Sequence, residues 1–286
     1  MKFDQRTFIY TSLALLAFAG NSVLCRFALL DSAIDPSSFT AIRLISGAAM
    51  LLILIGFPRS SLELGSLPIA RLVWPAFSLF VYAICFSFAY IDLDTGTGAL
   101  VLFGVVQLTM ISVGLVSGNK PSMLELIGMV IAFSGLVWLL LPGAEAPSLR
   151  GFILMSVAGV AWGFYTYLGK GVSKPLLGTA RNFLLTVPLV LLVWLVMASS
   201  ISLSIEGVLL ASVSGALTSG VGYTLWYIAI EKLSVVQSAV IQLLVPVIAT
   251  VGGVYIVSEP LSAQLVIASV LILGGVLVSI LGRRAV

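Results

Sequence analysis

The sequence predicts an all-α integral membrane protein with ten transmembrane helices arranged as two inverted five-helix repeats. Composition is the first observation that predicts it: of 286 residues, 60% are hydrophobic and 9% are charged, whereas soluble domains carry about 25% charged residues. Second, the apolar residues fall into ten runs of about 20 residues, the length at which a helix crosses a bilayer core. Third, lysine and arginine collect in alternate connections, as in multi-pass membrane proteins.

Short polar connections join the ten predicted spans. Proline stands where several spans begin, at Pro36, Pro121 and Pro260, a helix position that tolerates its missing N–H. The sequence holds no long polar segment, so no soluble domain is predicted. The predicted spans are 7–30, 36–56, 71–91, 97–117, 122–141, 150–170, 179–199, 206–230, 234–257 and 262–282.

Residues 219–260 hold two apolar runs around a polar break, with one proline, Pro246, inside the second run. Proline removes a backbone donor and frees a carbonyl, so the helix is predicted to bend or open there. In lipid such a defect is tolerated where protein or a cavity covers it. Pro246 is therefore predicted to be either a fixed kink or a hinge.

The distribution of lysine and arginine predicts the orientation. With the N-terminus in the cytoplasm, eleven of them fall inside and one, Arg150, falls in an outer loop. This predicts a protein of the bacterial inner (plasma) membrane with both termini cytoplasmic. Ala17-Phe18-Ala19 resembles a signal-peptidase site, but the apolar run continues to Leu30, which is longer than a signal core. The inside residues are Lys2, Arg6, Arg59, Arg71, Lys120, Lys170, Lys174, Arg181, Lys232, Arg283 and Arg284.

The two halves, 1–145 and 146–286, each hold five spans and are predicted to be repeats. Because five is odd, the second half must be inverted relative to the first, and inverted repeats place a substrate site near the membrane midplane. The parallels pair Ala19-Gly20-Asn21 with Ala161-Trp162-Gly163, Arg26 and Arg43 with Lys170 and Arg181, and Asn119-Lys120-Pro121 and Gly135 with Glu259-Pro260 and Gly274-Gly275.

On these residues the chain resembles, over its whole length, the EamA-type branch of the drug/metabolite transporter superfamily. The likeness depends on Trp162-Gly163 followed by Lys170, on Arg43 and Arg181 early in their helices, and on the block from Tyr227 through Pro246 to Glu259 and Gly275. The first half departs from the pattern, because it has no proline matching Pro246 and has Asn119 where the family often has Glu. Within the branch the chain is most similar to YddG-type exporters of aromatic amino acids and related metabolites. The resemblance implies export by alternating access, with a central cavity lined by helices 1, 3, 4, 6, 8 and 9.

Charge is scarce within the spans. Apart from residues near their ends, they hold no Asp, Glu, Lys or Arg, and the chain has no histidine. A charged group at mid-bilayer usually marks an ion path, so proton coupling through a buried carboxylate is not predicted. No GxxxxGK[ST] loop is present for ATP hydrolysis, and Cys25 and Cys85 suggest neither a disulfide nor a zinc site. The sequence therefore predicts a facilitator or exchanger with no cofactor and no metal, and not an enzyme.

Neutral polar and aromatic side chains at depth are the candidate substrate-binding residues. If they converge, they form a cavity with apolar walls and a few oriented hydrogen-bond groups, in which rings stack on a flat ligand. No fixed charge is predicted to face the ligand, so a zwitterionic amino acid fits. The candidates are Asn21, Ser78, Tyr82, Gln107, Trp162, Tyr165, Tyr223, Trp226, Ser238 and Gln242, and the candidate hinges are Gly20, Gly163 and Pro246.

Several of these polar residues have an alternative interpretation. Gln107 and Gln242 are also suited to a hydrogen bond with a neighbouring helix, and Asn21 is suited to capping a break after Gly20. The glycines at 159, 163, 252, 253, 274 and 275 let helices approach closely. That serves packing within one monomer or a dimer contact, and packing within a monomer is favoured.

The charged residues near span ends are given structural roles. Arg26 and Lys170 are expected to be snorkelling anchors, and Arg43 and Arg181 are expected to brace the loops beside them. A phosphorylated cargo would need several Arg or Lys facing the cavity, and the sequence predicts none at depth.

The predicted function is export of small neutral or zwitterionic metabolites, with aromatic amino acids favoured. The predicted partners are a small-molecule substrate and the lipid bilayer, with no nucleic acid. One rival is a transporter of the same fold that carries lipophilic drugs or nucleotide-linked sugars. A second is a membrane-embedded enzyme, for which Asp92 and Asp94 are the only close acidic pair near a span end. A third is a scaffold or receptor without a transport cycle.

Overall fold

The structure is a computed structural model that describes residues 5–30, 32–56, 68–117, 122–141, 146–169, 174–233 and 235–282. Over these residues the chain is helical, and its only β-type pairing is an isolated bridge between Ile34 and Leu203. Several residues interpreted above lie outside this part of the chain: Lys2, Arg59, Asn119, Lys120, Pro121, Lys170, Arg283 and Arg284.

Twelve α-helices, one π-helical segment and a short 3-10 helix at Ala198–Ser200 follow one another along the described chain. The first half holds α1 (Gln5–Leu30), α2 (Pro36–Leu54), α3 (Ile69–Asp92), α4 (Thr95–Val116) and α5 (Met123–Leu139). The second half holds α6 (Leu149–Leu168), α7 (Pro175–Val196), α8 (Ile205–Val213), the π segment (Ser214–Val221), α9 (Gly222–Ile230), α10 (Val235–Gln242), α11 (Leu244–Ile256) and α12 (Ala263–Gly282).

Nine helical stretches in the described residues are long and apolar enough to cross a membrane. The remaining predicted span, 122–141, corresponds to α5, which has 17 residues and is shorter than the other nine. Large apolar side chains such as Val130, Leu192 and Val270 are exposed on the outside of the bundle. Lipid tails accept such a surface, whereas water does not. The fold is therefore that of a multi-pass membrane protein.

Two of the spans are not regular α-helices. The stretch Ile205–Ile230 passes through the π segment at mid-length. The next span is divided at Leu243, because Pro246 lies in the first turn of α11 and has no N–H to donate to the carbonyl of Gln242. The interruption thus falls where the sequence predicted a bend, and a hinge function for Pro246 stays a prediction.

Side chains that precede the helices satisfy the free N–H groups of the first turns. The carboxylate of Asp35 accepts a hydrogen bond from the Ser38 N–H at 2.9 Å and so caps α2. Serine hydroxyls do the same for α5 at Ser122, for α6 at Ser148 and for α8 at Ser204. These caps fix where the helices begin and therefore how deep their side chains lie.

The main helix pairs join one half of the chain to the other: α5 packs on α12, α3 and α4 pack on α6, and α2 packs on α7. Close approach of α5 and α12 requires glycine, because a Cβ at Gly128 or Gly275 would collide with the opposite backbone. Gly159 and Gly163 allow α6 a similar approach to α4. Gly274, by contrast, has open space around it, so the predicted packing function does not extend to it.

At one end of the bundle, the connection after α1 is joined to the connection before α8. The Asp35 N–H donates to the Ser202 carbonyl at 3.0 Å, and the Ser202 N–H donates to the Asp35 carboxylate at 3.0 Å. The indole N–H of Trp194 also donates to the Ser38 hydroxyl at 2.9 Å. Helices α2 and α7 are therefore tied together at this end.

Candidate functional site

A cavity of about 1000 Å³ lies inside the bundle. It is large enough for a drug-sized molecule, since ligand pockets typically measure about 300–1,000 Å³. Its walls come chiefly from α1, α3, α4, α6, α7, α9 and α10, with contributions from the first turn of α5 and the end of α12. The family resemblance implies a lining from the first, third, fourth, sixth, eighth and ninth spans, of which the eighth includes α8 and α9 and the ninth includes α10 and α11. The principal addition to that set is α7.

The cavity reaches the surface at one end of the bundle. Its lining there includes exposed residues from the start of α3, the end of α6 and the start of α7, namely Ala70, Arg71, Thr166, Gly169 and Lys174. We call these five residues the mouth. On α1 the lining ends at Ser22, so the cavity begins at the mouth and stops about half-way to two-thirds of the way along the helices.

Aromatic rings form the middle of the cavity wall, with Trp162 at their centre. Its ring centroid lies 4.6 Å from that of Tyr82, 5.1 Å from that of Tyr165 and 5.5 Å from that of Tyr223. Phe18 contacts Tyr223 from the side of α1, at 5.6 Å. These spacings are those of offset and tilted aromatic pairs, and the exposed ring faces offer a surface for a flat ligand.

The buried amide of Asn21 forms the polar contact between α1 and the π segment. Its oxygen accepts hydrogen bonds from the hydroxyls of Ser214 at 2.7 Å and Thr218 at 2.8 Å. Its nitrogen donates to the Ser219 hydroxyl at 3.4 Å. The prediction that Asn21 caps a break in α1 is wrong, because α1 runs unbroken from Gln5 to Leu30. The amide instead binds the irregular backbone of the opposite helix.

Most of the predicted binding residues come together around the cavity. Ser78 does not, since it is half-buried on α3 and is not part of the lining. The other nine border the cavity: Asn21, Tyr82, Gln107, Trp162, Tyr165, Tyr223, Trp226, Ser238 and Gln242. Their position fits the prediction, and contact with a ligand stays a prediction.

The two candidate glycine hinges lie within unbroken helices. A Cβ at Gly20 would touch Thr218 of the π segment, and a Cβ at Gly163 would press against Thr109 of α4. Both glycines thus permit a close helix contact, and a hinge function stays a prediction. The irregular backbone lies instead in the π segment and at Leu243. π-helical turns inside α-helices are frequent at functional sites.

Beyond the blind end of the cavity, one turn after Ser22, Arg26 occupies a cluster of hydrogen bonds. Its guanidinium contacts Glu259 at 3.0 Å and Asp94 at 3.3 Å, and it donates to the backbone carbonyls of Tyr90 and Ile91. The other Glu259 oxygen accepts the N–H of Thr95 at the start of α4. The prediction that Arg26 is a snorkelling anchor is therefore wrong. We call Arg26, Asp94 and Glu259 the closing cluster, because it joins α1, α3, α4 and the end of α11 over the cavity.

Arg43 is 2% exposed and lies behind the aromatic wall. It donates to the Tyr82 hydroxyl at 3.0 Å, and its guanidinium carbon lies 4.8 Å from the ring centroid of Phe86. Two of its nitrogens have no partner among the described residues. The expectation that Arg43 braces a loop is wrong, because its guanidinium contacts the interior face of α3.

The cavity itself is charged, which corrects the prediction that no fixed charge faces the ligand. Among the described residues, Arg71, Lys174, Arg181 and Glu125 line it, so three cations face one carboxylate. Arg71 and Lys174 are exposed at the mouth, whereas Arg181 and Glu125 are buried. The expectation that Arg181 braces a loop is thus also wrong.

Asn182 and the π segment are functional candidates that sequence reasoning missed. The signal for the π segment was a run of small and hydroxyl residues, Ser214-Gly215-Ala216-Leu217-Thr218-Ser219-Gly220, in the middle of an apolar span. The sequence signal for Asn182 was an amide side chain directly after Arg181, within the apolar stretch of α7.

The fold and the cavity define a class: a multi-pass membrane protein with a solute-sized cavity open at one end. A family model for the EamA-like transporter family matches residues 149–281. An uncharacterized protein of Pseudomonas aeruginosa is 47% identical over 99% of this chain and 98% of its own length. Two uncharacterized transporters of Archaeoglobus fulgidus are 24% identical over 96% of both chains, and 26% identical over 72% of this chain and 75% of the relative.

The second half of the chain therefore carries the pattern of the EamA-like transporter family. A protein of known crystal structure aligns over 96% of this chain and 97% of its own, with a TM-score of 0.65 and 21% identity. This likeness shows the fold. The family and the names of the relatives indicate a transporter rather than an enzyme. Asp92 and Asp94, the acidic pair near a span end, contact Arg150 and Arg26.

Proposed function

We propose that this protein exports small organic metabolites that carry a flat apolar part, amino acids and aromatic amino acids among them. The observation that carries the proposal is the cavity around Trp162, which is open at the mouth and blocked at the closing cluster. An aromatic wall with a few polar groups is how small-molecule sites usually recognise their ligands. The mechanism is alternating access, in which the mouth closes and the closing cluster separates.

Parallels between α2 and α7 support an inverted repeat of 1–145 and 146–286. Each helix begins with proline, and a threonine one turn later donates to that proline's carbonyl: Thr40 to Pro36 at 2.7 Å and Thr179 to Pro175 at 3.0 Å. An arginine follows in the second turn of each helix. Two halves with matching parts suit a cycle in which they exchange conformations.

The irregular backbone of the second half suits the movement that this cycle requires. The π segment and the break at Leu243 have fewer regular i→i−4 hydrogen bonds than a straight helix, so they bend at lower cost. Asn21 joins α1 to the π segment by hydroxyl contacts, which rearrange more readily than packed rings. Helices α2 and α7, tied through Asp35 and Ser202, would move together.

Orientation and coupling are part of the proposal. Lysine and arginine favour cytoplasmic termini in a bacterial inner membrane, and the mouth then faces the cytoplasm, where an exporter binds its cargo. Buried acidic side chains lie near bundle ends: Glu125 in the first turn of α5 and Glu259 after α11. Neither position suits a proton site at mid-depth, so we propose a facilitator or exchanger.

The test is counterflow in proteoliposomes that contain only this protein. We expect unlabelled internal phenylalanine to drive saturable uptake of labelled phenylalanine without ATP or a pH gradient. Trp162→Ala should raise the half-saturation concentration about 3- to 10-fold, because a lost aromatic contact is worth ~0.5–1.5 kcal/mol. Trp138→Ala, on α5 and away from the cavity, is the matched control.

Two results would contradict the proposal. Absence of saturable flux for every amino acid, with protein shown to be folded, removes the amino-acid cargo. Uptake that needs a pH gradient removes the facilitator and makes Glu125 and Glu259 the residues to substitute next.

A further inference from the structure

Arg181 and Asn182, in the second turn of α7, have unmet bonding capacity beside the cavity. They are 8% and 7% exposed, and both belong to the cavity lining. The Nε of Arg181 and the amide oxygen of Asn182 are buried with no hydrogen-bond partner among the described residues. Arg181 also forms no ion pair in that part of the chain. A buried cation without a counter-charge is strongly destabilising.

The other buried arginines have their contacts inside the protein. Arg26 contacts two carboxylates and two backbone carbonyls. Arg43 has no carboxylate and two unpartnered nitrogens, but its guanidinium contacts the rings of Tyr82 and Phe86 and one hydroxyl, and it is not part of the cavity lining. Arg181 differs from both because it borders open space that a solute can enter. A solute that enters this space can therefore supply the group that Arg181 lacks.

The surroundings of Arg181 specify what that group is. Tyr165 accepts a hydrogen bond from the Asn182 amide at 3.5 Å, and the hydroxyls of Thr179 and Tyr227 lie 2.8 Å apart. These four side chains line the cavity together with Arg181. A guanidinium flanked by hydroxyl and amide groups suits a carboxylate, which accepts two parallel N–H bonds and further hydrogen bonds.

The same end of the cavity adjoins the aromatic wall. Tyr165 stacks on Trp162 with ring centroids 5.1 Å apart, so one small ligand can place its carboxylate at Arg181 and its ring on Trp162. Among the described residues of the lining, three cations face one carboxylate. A positive cavity concentrates anions and repels amines that carry no carboxylate.

We propose that Arg181 and Asn182 form a carboxylate subsite, so that the substrates of this protein are small organic carboxylates with a flat apolar body. The inference rests on the proposed function and narrows its substrate class. An amino acid qualifies through its carboxylate, and its ammonium group is not required.

The experiment compares three phenyl compounds that differ in charge: phenylalanine, 3-phenylpropionate and phenethylamine. Each is titrated calorimetrically into the full-length protein in nanodiscs. We expect the two carboxylates to bind and phenethylamine to bind at least about tenfold more weakly, as loss of a charge-assisted contact predicts. Arg181→Gln should weaken 3-phenylpropionate about tenfold or more and should not weaken phenethylamine, which loses a repelling cation. Arg150→Gln, which removes an exposed cation outside the cavity lining, is the charge-matched control.

Two further variants keep the experiment interpretable if Arg181→Gln does not fold. Arg181→Lys retains the charge without the planar fork, so it should bind 3-phenylpropionate more tightly than Arg181→Gln does. Asn182→Ala removes the neighbouring amide alone. The melting temperature of each variant shows that the bundle has formed. If Arg181→Gln does not fold, the affinities of Arg181→Lys and of the wild type for the two carboxylates are compared instead. This comparison then decides whether Arg181 binds the carboxylate.

The outcomes separate this inference from the proposed function. Equal affinity for phenethylamine and 3-phenylpropionate, or an unchanged affinity in folded Arg181→Gln, overturns the subsite and leaves the transporter proposal standing. Binding of 3-phenylpropionate without phenylalanine supports the subsite and overturns the amino-acid cargo. Inorganic phosphate that binds more tightly than either carboxylate overturns the carboxylate assignment. No binding of any compound to folded wild-type protein overturns both proposals.

Discussion

Arg26 and Arg181 are both buried cations in an apolar bundle, and they differ in what surrounds them. Arg26, at the blind end of the cavity, forms four hydrogen bonds and contacts two carboxylates. Arg181, between the aromatic wall and the mouth, has an unpartnered nitrogen and no ion pair within the described residues. A cation whose contacts are complete holds helices together, whereas a cation beside an open cavity retains capacity for a ligand. The difference separates a structural charge from a candidate binding charge.

The largest effect should come from breaking the fully paired charge. Arg26→Met leaves the Glu259 carboxylate, whose side chain is 8% exposed, without its cation. We expect a loss of about 3–5 kcal/mol in the free energy of unfolding, the usual cost of removing one partner of a buried pair. The measurement is denaturant unfolding of the protein in mixed micelles.

Arg150→Gln is the control for this change. Arg150 pairs with Asp92 at 3.7 Å, and its side chain is 63% exposed, so its removal should cost less than about 1 kcal/mol. Equal losses from Arg26→Met and Arg150→Gln would mean that the closing cluster contributes no more than a surface pair.

A smaller loss of stability is expected from the polar contact between Asn21 of α1 and the π segment. Asn21→Leu removes the acceptor of the Ser214 and Thr218 hydroxyls. The Ser214 hydroxyl loses its partner, whereas Thr218 keeps its bond to the Ser214 carbonyl, so stability should fall by about 1–3 kcal/mol. Thermal unfolding measures the loss, and Thr224→Val, whose hydroxyl donates to the Gly220 carbonyl one turn earlier at 2.9 Å, is the matched comparison. An Asn21→Leu protein as stable as wild type would show that the π segment does not depend on this amide.

The smallest effect concerns how often the closed end opens. With Cys25 and Cys85 replaced by serine, Gln107→Cys should react with a membrane-impermeant thiol reagent from the mouth side. Thr95→Cys, beside Glu259, should react at least about tenfold more slowly, which corresponds to an opening cost of ~1.4 kcal/mol or more. Adding Glu259→Gln should speed the Thr95→Cys reaction severalfold. Reaction of Thr95→Cys at the rate of Gln107→Cys would contradict a closed end.

The helices and the aromatic wall could be predicted from the sequence because both depend on local pattern. Runs of about 20 apolar residues form helices in lipid wherever they occur, and Tyr82, Trp162 and Tyr223 stood out as rings at depth. Ser78 was misplaced because the spacing of residues on α3 does not report how the neighbouring helices pack against it. It lies half-buried and outside the lining, although Tyr82 one turn later is part of it.

The charged contacts could not be predicted, because their partners are remote in sequence. Arg26 and Glu259 are separated by 233 residues, and Asn21 and Thr218 by 197. No local pattern reports which distant helix lies opposite a given side chain. The same reason concealed the position of Arg181 at the cavity, since only the packing of α7 between α2, α3 and α9 brings it there.

The separation of 233 residues between Arg26 and Glu259 also bears on biosynthesis. A ribosome adds about 5–20 residues per second, so α1 enters the membrane roughly 10–50 seconds before the carboxylate that completes its arginine has been made. During that interval the helices of the first half lack their partners α6, α7 and α12. The first half already offers Arg26 the carbonyls of Tyr90 and Ile91 and the carboxylate of Asp94, and Glu259 completes the set of contacts when the second half arrives.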